Sequence, residues 1–466
     1  MIDIKKLTIE ETHKSLKKGD FSISDLVNGY LKVIKDKNDE INAYLEIFDV
    51  KNQIKLAEEK FKDGSASLLT GIPISIKDNM LFKGHIASAS SKILENYTAT
   101  YDSTVVKLLK EAGVIIIGRT NMDEFAMGSS TETSAFGNTK NPVNLERVPG
   151  GSSGGSVASV AMGGALASFG TDTGGSIRQP AAFCGTVGLK TTYGSVSRYG
   201  IISLGSSLDQ VGPITNFVRD AEIVFDVINK YDSKDGTSVK ERDTKFKLKK
   251  KIGIPKGFFE GIDKEVLSNF EESKNKLESS GYELVEVDLP LIKYSLAVYY
   301  ILMPAEASSN LARYDGIRYG LNIEGENLLD VYKKVKGNGF GKEVRRRILL
   351  GTYILSHGYY DAYYNTAIKM REKIKEELRN VFEKVDVILT PTSPILPFKF
   401  GEKIDDPVDM YMSDLFTVPA NIADIPAISI PSGKTKEDLP LGIQFMAPMF
   451  KEGILFKIGK DFEKLV

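Results

Sequence analysis

Apolar and polar residues follow a helical period near the start of the chain. Between residues 22 and 36, Ser22 and Asp25 have the spacing of a helix N-terminal capping box. The apolar stripe of this segment consists of Leu26, Val27, Tyr30, Leu31 and Ile34. The pattern predicts an amphipathic helix inside an N-terminal helical layer, which we place at residues 1–65.

From about Gly71 the pattern changes to short apolar runs that alternate with amphipathic segments. The run at 71–79, a helix at 103–111 and a buried strand at 114–118 follow one another. A further helix is predicted at 156–162. Other predicted strands lie at 165–171, 251–255, 282–290, 386–392, 426–431 and 441–448. Strands that alternate with helices indicate an α/β protein.

We therefore predict an α/β fold built on a single large, mixed, twisted β-sheet with helices on both faces. Residues 1–466 are treated as a single domain. Residues 66–215 form its core, which contains a glycine- and serine-rich region at 147–212, and residues 251–466 complete the sheet and a substrate pocket. The charge-dense segment 233–250 has little apolar periodicity and is interpreted as a solvated connection.

Composition excludes several classes of function. Lysine and arginine total 61 against 62 aspartate and glutamate residues, so the chain lacks the positive excess of nucleic-acid-binding proteins. The single cysteine, Cys184, excludes an internal disulfide and any multi-cysteine metal site. The start resembles neither a signal peptide nor a transit peptide, and no apolar run is long enough for a membrane helix. We expect a soluble protein of the cytoplasm, with an organelle left open.

Histidine is scarce, because His13, His85 and His357 are the only three in the chain. Counting alone leaves a Ser-His-Asp enzyme open. A lysine or a carboxylate is nevertheless the better candidate for an acid–base group. No metal site is predicted.

Three segments carry candidate chemistry. Lys77 ends the run GIPISIK, Ser152 and Ser153 lie in PGGSSGGS, and Ser176 lies in GTDTGGSIRQP. Each segment alone has an ordinary structural explanation as a solvated strand lysine or a glycine-serine turn. A phosphate cradle is disfavoured because neither loop has the spacing of a P-loop or of a dinucleotide-binding turn.

The residues before Ser176 suggest how a serine nucleophile would work. Thr173, Gly174 and Gly175 could aim successive backbone N–H groups at one point and form an oxyanion hole. The serine would need a base, and a lysine serves only if burial lowers its pKa. The alternation of Ile72, Ile74 and Ile76 predicts that the Lys77 amine enters the core.

Together these segments resemble the amidase signature family, whose catalytic set is a lysine, a cis-serine and a serine in this order. The resemblance implies the amidase signature fold, with residues 66–215 as its core. It implies that Ser176 is the nucleophile, that Ser152 relays its proton and that Lys77 is the base. It also implies that Ser153 orients the site and that the peptide bond before Ser152 is cis.

Nearly the whole chain is similar to one branch of that family, the A subunits of glutamyl-tRNA(Gln) amidotransferases. The segments that carry this similarity include RYGIISLGSSLDQVGPIT, YYILMPAEASSNLARYDGIRYG, GFGKEVRRRILLGTYILSHGYYDAYY and DLFTVPANIADIPAISIP. Two positions depart from the branch pattern: Thr191 stands where proline is common, and Ser195 where arginine is common.

The branch resemblance implies a glutaminase that passes ammonia to a partner. A B subunit would bind tRNA and use ATP and Mg²⁺, a small C subunit would complete the complex, and this chain would bind no cofactor. The acceptor would be Glu-tRNA(Gln), with Asp-tRNA(Asn) left open. A stand-alone amidase that acts on small amides is the alternative, and an inactive scaffold is disfavoured because Lys77, Ser152 and Ser176 are all present.

A glutaminase must also hold the two charged groups of its substrate. The resemblance implies that Asp414 accepts the ammonium group and that Arg347 binds the carboxylate. Arg345 and Arg346 remain alternatives to Arg347, because the three are consecutive. Substrate contacts from Ser129 and from Tyr299 or its neighbour Tyr300 are also implied.

Overall fold

The structure, a computed structural model, describes residues 7–403 and 407–466. Within these residues eleven strands belong to one β-sheet. The strands are β1 Tyr44–Ile47, β2 Pro73–Lys77, β3 Ile115–Thr120, β4 Ala167–Asp172, β5 Val187–Lys190, β6 Gln210–Thr215, β7 Lys251–Pro255, β8 Glu283–Val287, β9 Val387–Pro391, β10 Ala427–Lys434 and β11 Pro440–Met446.

The α-helices surround this sheet. They are α1 Ile9–Lys18, α2 Ile23–Ile41, α3 Lys51–Lys62, α4 Thr104–Glu111, α5 Gly154–Ala161, α6 Arg178–Cys184, α7 Val218–Ile228, α8 Lys264–Ser279, α9 Ser295–Asn310, α10 Leu328–Gly339, α11 Lys342–Ile354, α12 Thr366–Phe382, α13 Pro407–Met412, α14 Val418–Ile422 and α15 Glu452–Glu463.

The sheet is mixed, as the sequence predicted. Its strand order is β1-β3-β2-β4-β6-β5-β10-β11-β9-β7-β8. Strand β2 pairs in parallel with both β3 and β4, whereas β4 pairs antiparallel with β6. Because β2 has a neighbour on each side and lies deep in the sheet, all five of its residues are buried.

Helices cover both faces of the sheet, as the side chains of strand β6 show. Ile214 belongs to a small cluster with residues of α5 and α6, whereas Val211 belongs to the main core cluster, and helix α7 packs against β6. The two residues are an odd number of positions apart, so their side chains point to opposite faces of the strand. All six residues of β6 are buried, as expected for a strand that is covered on both faces.

The predicted N-terminal helix is confirmed as α2, with the capping box at its start. Ser22 Oγ accepts a hydrogen bond of 3.0 Å from Asp25 N, and the Asp25 carboxylate accepts one from Ser22 N. The helix is longer than predicted because it continues to Ile41. It ends at Asn42, whose φ of 55° is left-handed.

Other predictions need correction. The layer predicted at 1–65 is not wholly helical, because β1 lies inside it and pairs antiparallel with β3; its first six residues lie outside the described chain. Strands β5 and β6 were missed, since glycines and a proline interrupt their apolar patterns. The segment 233–250, in contrast, needs no correction, because a connection was predicted there and it contains no helix or strand.

None of the helices in 7–403 and 407–466 is both long enough and apolar enough to cross a bilayer.

Candidate active site

Lys77 ends strand β2 and meets the start of helix α5. Ser75, two residues earlier on the same face, contacts Ser159 of α5 with 2.8 Å between their hydroxyl oxygens. The Lys77 amine therefore points toward the residues that precede this helix. Its Nζ lies 2.8 Å from Ser152 Oγ and 2.9 Å from Ser153 Oγ.

The surroundings of the Lys77 amine favour its neutral form. The side chain has no exposed surface, and a third hydroxyl, Thr171 Oγ1, lies 2.9 Å from Nζ. Burial lowers the pKa of Lys77 to about 7, although Asp123, Asp172 and Asp209 act in the opposite direction. A substantial fraction of the amine is thus available as a base near neutral pH.

The two serines before α5 are held by their backbone. The Gly151–Ser152 peptide bond is cis. Ser152 O accepts a hydrogen bond of 3.2 Å from Asp123 N, and Ser153 N donates one of 3.1 Å to Ser176 O. Position 151 has no room for a side chain, because an added Cβ would lie 2.1 Å from Asp123 Oδ2.

Ser176 lies on the loop between β4 and α6, with 8% of its surface exposed. The structure thus brings Lys77, Ser152 and Ser176 together, and the hydrogen bond from Lys77 to Ser152 is formed. No hydrogen bond joins the two serine hydroxyls within the described residues, so the last link of the predicted relay is absent here. Catalytic hydrogen bonds are often long in unliganded enzymes and shorten when substrate binds.

The predicted oxyanion hole differs in one member. The Gly175 N–H donates to Asp172 Oδ1 at 2.9 Å, so it is not directed at a substrate. The backbone N–H groups of Thr173, Gly174 and Ser176 have no protein acceptor among residues 7–403 and 407–466. These three are the remaining candidate donors to an oxyanion.

Two side chains pack directly against the glycines of this loop. A Cβ added to Gly174 would lie 2.6 Å from Tyr299 Cζ, and one added to Gly175 would lie 2.2 Å from Thr417 Oγ1. Gly175 also has a φ of 139°, which side-chain-bearing residues rarely adopt. The loop therefore requires both glycines, and Tyr299 forms part of its wall.

Asp414 carries a buried carboxyl group close to Ser129 and Tyr300. It accepts hydrogen bonds from Ser129 Oγ and from the Tyr300 hydroxyl, each at 3.2 Å to Oδ2. Burial raises the pKa of Asp414 to about 7, while Arg347 and the two hydroxyls act in the opposite direction. Both tyrosines of the ambiguous pair thus belong to the site, with Tyr299 against the loop and Tyr300 on Asp414.

Of the three consecutive arginines on α11, Arg347 is the one that turns inward. It is 4% exposed, whereas Arg345 is exposed and Arg346 is half-buried. Arg347, Ser129 and Tyr411 line a cavity of about 300 Å³. Ser176 is not part of that lining, but Thr417 Oγ1 connects the two regions by donating to both Gly174 O and Asp414 O.

Several residues of the site were not identified from the sequence. Thr171 contacts the Lys77 amine, and Gln179 bridges two loops by accepting from Gly151 N and donating to Ser129 O. Thr171 could have been identified from strand alternation, because it lies two positions before Thr173 in the GTDTGGS motif and residues at this spacing share one face of a strand. Gln179 lies in helix α6, three residues after Ser176, and the surrounding sequence pattern does not indicate a role for it.

The two departures from the branch pattern lie close to β5. The Thr191 hydroxyl donates to Val211 O at 3.1 Å. Ser195 is buried, and its hydroxyl has no hydrogen-bond partner in the described structure. Within the described residues, neither hydroxyl forms a hydrogen bond with Ser152 or Ser176.

Comparison with known proteins gives the family. The family model described as "Amidase" matches residues 25–456. The chain belongs to the amidase family. The predicted membership is confirmed, and the matched range contains every residue of the candidate active site described above.

Individual amidase relatives match over almost their whole lengths. The A subunit of a glutamyl-tRNA(Gln) amidotransferase from Thermodesulfovibrio yellowstonii is 48% identical, with 99% of this chain and 98% of the relative covered. Its counterpart from Thermoanaerobacter pseudethanolicus is 50% identical, with 99% and 97% covered. The crystal structure of the Thermotoga maritima A subunit has a TM-score of 0.83 at 44% identity and covers 100% of this chain and 96% of that one.

Proposed function

We propose that this chain is the glutaminase subunit of a tRNA-dependent amidotransferase. It hydrolyses glutamine through a serine acyl-enzyme and supplies ammonia to a partner subunit. The observation that carries the proposal is the end-to-end similarity to relatives named as A subunits of glutamyl-tRNA(Gln) amidotransferase. A stand-alone amidase is not favoured, because an identity of 48–50% to these A subunits extends over 99% of the chain.

The geometry supports the following acylation step. Neutral Lys77 takes a proton from Ser152, whose oxygen takes the proton of Ser176 as Ser176 Oγ attacks the carboxamide carbon. Backbone N–H groups of the loop hold the resulting oxyanion. The C–N bond then breaks, and the proton returns through Ser152 to the leaving nitrogen. Ammonia leaves, and an ester links the glutamyl group to Ser176.

Deacylation uses the same groups in the opposite direction. A water molecule attacks the ester carbon while the regenerated Lys77–Ser152 pair accepts its proton. The tetrahedral intermediate collapses, the proton passes to Ser176 Oγ, and glutamate is released. Burial keeps the pKa of Lys77 near 7, so the amine can accept and return a proton at modest cost.

The charged residues near the cavity support glutamine as the substrate. Asp414 is proposed to bind the α-ammonium group and Arg347 the α-carboxylate. Ser129 and Tyr300 hold the Asp414 carboxylate, and Tyr299 faces the nucleophile loop. Together they would select an α-amino acid that carries a side-chain amide.

The names of the relatives, which describe each of them as one subunit of an amidotransferase, support a multi-subunit assembly. We propose a B subunit that binds tRNA and uses ATP and Mg²⁺, together with a small C subunit. This chain itself would bind no cofactor, and the complex would work in the cytoplasm. Its acceptor would be Glu-tRNA(Gln), and Asp-tRNA(Asn) is a second acceptor to be assayed.

Coexpression with the candidate partners tests this proposal. The purified complex should release glutamate from glutamine and should amidate Glu-tRNA(Gln) or Asp-tRNA(Asn) when ATP is present. The chain expressed without partners is the control and should form no amidated tRNA. Hydrolysis of simple amides by a chain that forms no complex and yields no tRNA product would instead support the stand-alone amidase.

A further inference from the structure

Glu343 lies in the wall of the cavity and contacts Arg347 directly. Its Oε1 accepts a hydrogen bond of 2.7 Å from Arg347 Nε, one turn later on helix α11. Oε1 also accepts one of 3.1 Å from the Tyr411 hydroxyl. The other oxygen accepts from Arg346 at 2.6 Å. Glu343 is therefore held from three directions.

Tyr411 connects the carboxylate of Glu343 to the part of the site that contains Asp414. Its ring stacks on Tyr300 with 3.9 Å between centroids and 22° between planes. The two hydroxyls reach different carboxylates, because Tyr300 donates to Asp414 and Tyr411 to Glu343. The Arg347 guanidinium carbon lies 5.8 Å and 5.4 Å from the centres of the two rings.

This arrangement leaves one edge of the guanidinium for a ligand. Glu343 occupies Nε, and the other hydrogen-bond contact of Arg347 within the described residues is a weak one, 3.7 Å from Nη1 to Met303 Sδ. A thioether is a poor acceptor, so a carboxylate would displace it readily. Because a guanidinium is planar and rigid, fixing Nε also fixes the direction in which the two Nη groups point.

We propose that Glu343 and Tyr411 are positioning residues that determine specificity for the α-carboxylate of the substrate. Glu343 orients Arg347 for bidentate binding, and the stacked tyrosines fix the distance between Arg347 and Asp414. The inference rests on the proposed function, since it takes glutamine as the substrate. It assigns a role to two residues that do not themselves need to touch the substrate.

A pair of substrates isolates this role. Glutamine carries both charged groups, whereas 4-aminobutanamide has the same amide and ammonium group but no α-carboxylate. A residue that orients Arg347 should affect the first substrate and not the second. A residue that merely supports the fold should affect both to the same extent.

Steady-state kinetics of Glu343→Gln and Tyr411→Phe, in the assembly with which the chain purifies, test the proposal. Glu343→Gln should raise the KM for glutamine by about tenfold or more, the size expected for one charge-assisted hydrogen bond. Its kcat should change little, and its kcat/KM for 4-aminobutanamide should stay at the wild-type value. Tyr411→Phe keeps the ring stack and should raise the KM for glutamine by a smaller factor.

Glu377→Gln is the matched control. Glu377 is a carboxylate of α12 that accepts backbone hydrogen bonds from Leu291, outside the cavity. Both of its kcat/KM values should equal those of the wild type. If Glu343→Gln does not fold, as judged by its thermal transition, Tyr411→Phe decides alone, because it removes only one hydroxyl.

The outcomes separate this inference from the proposed function. A wild-type enzyme with no preference for glutamine over 4-aminobutanamide would contradict the proposed function itself. A wild-type preference that persists unchanged in the folded variants would overturn only the role of Glu343 and Tyr411. Equal losses on both substrates would also overturn it, since they would indicate a structural role.

Discussion

Arg178 and Asp172 form an ion pair with no exposed surface, directly behind the loop that carries Ser176. Arg178 Nε and Nη2 each lie 3.0 Å from one oxygen of the carboxylate. Burial opposes ionisation of Asp172, but Arg178, Lys190 and Asn421 together outweigh it and hold the pKa of this carboxyl at about 2. The carboxylate then accepts the backbone N–H groups of Gly175 and Ile177, so the pair sets the course of the loop.

Replacing Arg178 by alanine should destabilise the protein strongly. The substitution leaves a buried carboxylate without its partner, which costs about 3–5 kcal/mol in comparable cases. The free energy of unfolding, measured with denaturant, checks this value. Arg219→Ala is the control: its ion pair with Glu10 is partly exposed, so the loss should stay within about 1 kcal/mol. Equal losses in the two variants would contradict the structural role of the pair.

The Arg178–Asp172 pair could not be predicted from the sequence, whereas other features of the site could. The burial of Lys77 was predictable, because the isoleucine alternation marks a strand and a central strand is buried on both faces. The partner of Asp172 was not, because an arginine at a helix start is usually solvated. Nor did the sequence separate Arg347 from Arg345 and Arg346, since their direction depends on how α11 packs against α9.

Lys77→Arg should abolish glutamine hydrolysis as fully as Lys77→Ala. A guanidinium keeps its charge at every working pH, so it cannot take the proton that Ser152 must release. Release of glutamate from glutamine is the measurement. The control is Lys83→Arg, which changes an exposed lysine a few residues later and should leave the rate unaltered. Substantial activity in Lys77→Arg would remove Lys77 from the mechanism.

The pH dependence of glutamine hydrolysis should reflect two groups that titrate in the same range. Burial lowers the pKa of Lys77 and raises the pKa of Asp414, each to about 7. The active forms are the neutral amine and the ionised carboxylate, and both are lost as the pH falls below 7. The logarithm of kcat/KM should therefore decrease with a slope approaching about two per pH unit on the acidic side.

Asp414→Asn tests the assignment of that acidic limb. The amide cannot ionise, so the slope should fall to about one, which leaves Lys77 alone to titrate. The KM for glutamine should rise as well, because the ammonium group loses a charged partner. A slope that stays near two in Asp414→Asn would show that another group supplies the second ionisation.

Ser176→Ala should separate ammonia production from ammonia use. Without the nucleophile the acyl-enzyme cannot form, so glutamine-dependent amidation of tRNA should disappear from the assembled complex. Activation of the tRNA-bound carboxylate belongs to the proposed partner and does not use Ser176. A high concentration of ammonium chloride should therefore restore amidation to nearly the rate that the unmutated complex reaches with ammonia. The unmutated complex, assayed with each nitrogen donor, is the control. Loss of both activities in a correctly assembled Ser176→Ala complex would contradict this division of labour, because it would mean that the serine also serves the partner's reaction.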